Sequence, residues 1–112
     1  MQISEDAILL RIFIGESERY EHRPLYEAIV LKAREMHLAG ATVLRGPMGF
    51  GHAAHLHTAK ILRLSDDLPL VIEIVDTEDR IRAFVDEVEP MVESGLITLE
   101  KATVIRYGRR KS

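Results

Sequence analysis

Arg45-Gly-Pro-Met-Gly-Phe-Gly51 lies near the middle of the chain, between two runs that read as strands, and separates two halves of one pattern. Upstream, Ala7-Ile-Leu-Leu-Arg-Ile-Phe-Ile14 is nearly all apolar, rich in β-branched residues and closed by Gly15, which reads as a central strand. Glu16 to Arg23 is polar and irregular. Pro24 suits the first turn of a helix, where its missing N–H is not needed. Leu25, Ala28, Ile29, Ala33 and Met36 recur at helical spacing, Gly40 supplies the stop, and Ala41-Thr-Val-Leu44 reads as a second strand. Downstream, Ala59 to Leu64 alternates weakly as an extended arm, and Ser65-Asp-Asp67 turns it. Leu70-Val-Ile-Glu-Ile-Val75 is the clearest strand, with Pro69 at its start. Asp76 or Thr77 caps a second helix, whose apolar stripe is Ile81, Phe84, Val85, Val88, Met91 and Val92. Pro90 should kink or divide that helix near Glu87–Glu89. Gly95 ends it, and Leu96 to Leu99 with Thr103 to Ile105 supplies the last strand.

Two strand–helix–strand halves in 112 residues predict one domain over 1–112, an α+β ferredoxin-like βαββαβ sandwich. It has a four-stranded antiparallel sheet, two helices on one face and a long loop between strands 2 and 3. The strands are apolar on both sides. Leu9, Ile12 and Ile14 are set against Leu10 and Phe13, and Val71 and Val75 against Ile72 and Ile74. With no third layer left in the chain, the second face is expected to be covered by self-association, as in a ring of subunits.

The balance of 15 basic and 18 acidic residues, net −3, argues against a nucleic-acid partner. No apolar run approaches the roughly 20 residues that span a bilayer, and Met1 to Asp6 lacks the basic, apolar start of a secretory signal. Cysteine is absent, which excludes disulfides, thiolate metal sites and a thiol nucleophile. Cytoplasmic is the default location.

The glycines at 46, 49 and 51 let the backbone approach another group closely, and 46–58 reads as a mobile Gly/His loop longer than a hairpin needs. His52, His55 and His57 could meet around zinc, nickel or copper, but in an extended segment His52 points away from the other two. Arg106 to Ser112 is a basic C-terminal segment suited to anion contact or to plain solvation. No Ser–His–acid set can be assigned from spacing, and Asp66-Asp67 and Glu78-Asp79 are accounted for by a turn and a cap. No enzymatic activity is expected.

Several stretches in order resemble the PII signalling proteins, and more closely an uncharacterised PII-like branch. They are Leu10-Arg-Ile-Phe-Ile-Gly-Glu-Ser17, Pro24-Leu-Tyr-Glu-Ala-Ile29, Gly40-Ala-Thr-Val-Leu-Arg-Gly46, Gly49-Phe-Gly51, His57-Thr-Ala-Lys-Ile-Leu62 and Leu68-Pro69. The resemblance implies a homotrimer with small effectors held between subunits. It also implies a loop that contacts a target protein, such as a membrane transporter or channel. In PII a second glycine-rich, basic loop precedes the final strand; here Glu93-Ser-Gly-Leu-Ile97 runs straight from helix to strand. The expectation is an anionic effector, an adenine nucleotide, near Gly46, Gly49, Phe50 and Gly51, with Arg106, Arg109 or Arg110 adding charge-assisted bonds. No cofactor is required. The alternative is a trimeric metal-binding protein of the divalent-cation-tolerance type using His52, His55 and His57.

Overall fold

The computed structural model describes residues 6–49 and 67–108, and they form two successive strand–helix–strand units. In chain order these are β1 (Asp6–Gly15), the short pair β2 (Arg19–Tyr20) and β3 (Arg23–Pro24), α1 (Leu25–Glu35) and β4 (Thr42–Arg45). Beyond residues 50–66 come β5 (Pro69–Asp76), α2 (Glu78–Val88), a 3-10 turn (Glu89–Met91) and β6 (Leu96–Thr103). The sheet order is β4-β5-β1-β6, with every pairing antiparallel. This is the expected ferredoxin-like α+β arrangement.

β1 is central because its apolar residues are tolerated on both sides of the pleat. Ile8, Leu10, Ile12 and Ile14 turn to one face and are buried with Leu70, Ile72 and Ile74 of β5. Leu25, Ala28, Ile29 and Ala33 from α1, and Ile81, Phe84 and Val88 from α2, close the core over them. Each fully buried side chain of this size contributes about 1.5–3 kcal/mol, which makes this face the main source of stability.

The opposite face departs from the expected alternation. Strict period two sets Leu9, Arg11 and Phe13 against the even-numbered core residues, so Ile12 and Ile14 do not share a side with Leu9. Arg11 sits in the middle of this open face, opposite Glu73 on β5 and Thr98 on β6. Its Nε donates to Glu73 at 2.9 Å and a terminal nitrogen donates to Glu100 at 3.1 Å. The Glu73 bond, foremost, raises the guanidinium further above its ordinary value. The face is thus two apolar bands divided by an ion triad.

Other boundaries moved for local reasons. Gly40 is not the stop of α1. His37 takes φ +61°, and the amides of His37 and Leu38 donate to Arg34 and Ala33, a Schellman closure carried by a histidine. Glu16 to Arg23 is not irregular throughout, because β2 and β3 form a small ladder around Glu21 at φ +57°. β6 is one strand from Leu96 to Thr103, and Val104 and Ile105 lie beyond it. Pro90 does divide the second helix, leaving α2 followed by the 3-10 turn. The extended arm expected at Ala59 to Leu64 lies outside the described residues.

Candidate functional site

The sheet has two ends, and the residues singled out in the sequence fall on both. Gly46 and Gly49 follow β4 where Arg45 pairs with Leu70, beside Pro69 at the start of β5. Arg106 follows β6, beside the start of β4 and the end of β5. At about 3.3 Å per residue, the length of β5 separates these ends by roughly 20 Å. One chain therefore does not bring Arg106 to Gly46 and Gly49. Phe50, Gly51, His52, His55, His57, Arg109 and Arg110 lie outside the described residues.

At the first end the glycines have a packing reason. A Cβ on Gly46 would stand 3.0 Å from the Pro69 ring and one on Gly49 3.1 Å from it. The Gly46 amide, expected as an anion donor, instead donates to the Pro69 carbonyl at 2.8 Å and extends the β4–β5 ladder. The Gly46 amide is thus already used within the sheet, and Gly51 lies outside the described residues. Around them, Arg45 pairs with Glu16 and Ser17 bonds to Asp67.

At the second end the chain leaves β6 and crosses toward β4, where the Tyr107 hydroxyl donates to the Ala39 carbonyl at 3.0 Å. The crossing borders an open cleft of about 630 Å³. Leu9, Val75 and Ala102 supply apolar wall, Thr42 and Glu73 polar wall, and Arg106 with Tyr107 belongs to the crossing segment. Glu73 is held by Arg11, so its carboxylate is fixed beside the cleft. An apolar slot with one fixed carboxylate and one exposed guanidinium suits a ligand with a flat organic part and an anionic tail.

A buried carboxylate stiffens this end. Asp76 is fully buried and accepts from the Ala39 amide at 2.9 Å and the Thr77 amide at 2.7 Å. Arg80 lies 3.3 Å from it and also donates to the Met36 and His37 carbonyls at the end of α1. A cation at a helix C-terminus meets the negative end of the dipole, so one Asp–Arg pair ties α1, α2 and the approach to β4 together.

Sequence reasoning missed Thr42, Glu73 and Tyr107 as cleft residues. The only signals were a polar residue inside each of two strands and an aromatic next to the basic run. Among the described residues no group of three or more His, Cys, Asp or Glu could hold a metal ion. No described helix is long and apolar enough to cross a membrane.

The profile of the DUF190 family, described as Uncharacterized ACR, matches residues 7–104. A UPF0166 protein of Aquifex aeolicus (strain VF5) is 41% identical over 97 residues, covering 87% of this chain and 91% of that protein. UPF0166 protein MJ1524 of Methanocaldococcus jannaschii is 30% identical over 101 residues, covering 89% and 93%. Among solved structures, CPII of Thiomonas intermedia K12, a nitrogen regulatory PII-like protein bound to ADP, AMP and bicarbonate, matches with a TM-score of 0.68. That likeness has 14% identity and covers 90% of each chain, so it speaks for the fold.

Proposed function

This chain belongs to the DUF190 family and has the PII-like fold, and from that premise we propose that it is a regulatory binding protein rather than an enzyme. It binds a small anionic effector, an adenine nucleotide, and contacts a target protein through the segment between β4 and β5. The observation that carries the reading is the cleft at the Arg106 end, where apolar wall, Glu73 and a guanidinium converge. ADP and AMP bound to CPII support an adenine ligand on this fold.

In this reading the cleft takes the base and sugar. The phosphates extend toward Arg106 and the basic residues after it. Backbone donors near the Gly-rich end reach the same ligand only from a neighbouring protomer, because one chain holds the two ends apart. A homotrimer that packs its open sheet faces inward supplies that neighbour and covers the Phe13 and Val71 band, leaving Leu9 and Val75 to the cleft. Binding changes the target contact only if the effector prefers one arrangement of the protein over another. No chemistry on the effector is involved, and the protein works in the cytoplasm.

Calorimetry with AMP, ADP, ATP and cyclic AMP tests the effector. Saturable heat from at least one of them is expected. Silence from all four at millimolar concentration, by heat and by thermal shift, contradicts the nucleotide assignment. Light scattering tests the assembly: a trimer at micromolar concentration is expected, and a monodisperse monomer removes the inter-subunit site.

A further inference from the structure

The turn between β1 and β2, Gly15–Glu18, has no part in the effector reading, yet it bonds to both chain segments that flank residues 50–66. The Glu16 amide donates to the Leu68 carbonyl at 2.8 Å, while its carboxylate pairs with Arg45 at the end of β4. Ser17 donates to one Asp67 carboxylate oxygen twice, from its amide at 3.1 Å and from its hydroxyl at 2.8 Å. Glu18 closes the turn on itself, accepting from the Gly15 amide at 2.8 Å.

Topology gives these bonds their meaning. β4 is an edge strand whose sheet neighbour is β5, and their described ladder ends with the Gly46 amide on the Pro69 carbonyl. β1 lies on the far side of β5, so Glu16 reaches across β5 to hold the edge strand. Two further features fit this bracing. A Cβ on Gly15 would stand 2.4 Å from the Asp67 oxygen that Ser17 binds, and Asp67 takes φ +32°, where an L residue is held only by its surroundings.

We propose that Glu16 and Ser17 are positioning residues, which together fix the spacing and direction in which the chain leaves β4 and enters β5. The consequence for target contact rests on the reading above. The positioning itself requires neither nucleotide nor target, and its test can fail separately.

The chain has no cysteine, so Met48→Cys gives a single labelling point on a residue that is 65% exposed. A nitroxide there and amide exchange are followed without ligand, in the otherwise native chain and in Glu16→Gln/Ser17→Ala. The double change is expected to speed label motion and to accelerate exchange at Gly46 and Glu16 at least tenfold. Exchange at Leu10 and Ile72 should stay as it was. Ser17→Thr, which keeps the hydroxyl, is expected to behave like the native chain. Unchanged exchange at Gly46 and Glu16 overturns the proposal. So does equal acceleration at Leu10 and Ile72, which would mean general loosening, and so does a Ser17→Thr variant as loose as the double variant.

Discussion

β5 has an aspartate near each end, and the two are held in opposite ways. Asp76 is fully buried and bonded to two amides and an arginine. Asp67 is exposed and bonded to one serine. Removing a buried carboxylate leaves its donors orphaned in a low dielectric, whereas donors that lose an exposed one turn to water at little cost. The cleft end is therefore the more firmly held of the two. The end where β4 finishes and β5 begins is held by exposed side-chain bonds, each contributing little to global stability.

Stability measurements on the two aspartates break or sharpen that contrast first, because they carry the largest expected difference. Asp76→Ala should lower unfolding free energy by about 3 kcal/mol, since Ala39, Thr77 and Arg80 all lose a partner. Asp67→Ala should lower it by about 1 kcal/mol or less. Denaturant titrations at one matched protein concentration read both, and equal losses would erase the distinction between the ends. Next in size, Arg106→Ala, Arg109→Ala and Arg110→Ala combined should weaken nucleotide binding at least tenfold, about 1.4 kcal/mol, with the assembly intact. An unchanged affinity would remove the C-terminal segment from the site. The smallest effect belongs to Tyr107→Phe. Loss of its bond to Ala39 should cost about 0.5–1 kcal/mol and free the segment after β6, seen as faster exchange at Val104 to Gly108. Exchange that does not change would show that the hydroxyl does not tie that segment down.

Much of this fold was legible because periodicity reports burial. Leu70 to Val75 and the Ile81–Val88 stripe announced their elements, and Pro90 announced the break. Legibility failed where one residue type serves two ends. His37 stops α1 at a positive φ usually given to glycine, so Gly40 drew the assignment instead. Gly46 reads as a free donor in sequence, but its amide is spent on the ladder and its missing Cβ on the Pro69 ring. Arg106 stood out as part of a basic run. Its cleft did not, because the segment holding Tyr107 meets Ala39 68 positions away, and no local pattern records such a contact.

The central claim is that the cleft at the Arg106 end takes an adenine nucleotide. Titrating ADP into the native protein and into the Arg106→Ala/Arg109→Ala/Arg110→Ala variant by calorimetry tests it most directly. The account predicts saturable heat in the native protein and a binding curve shifted at least tenfold in the variant. Identical curves for the two proteins, or no heat from either at millimolar ADP, would contradict it.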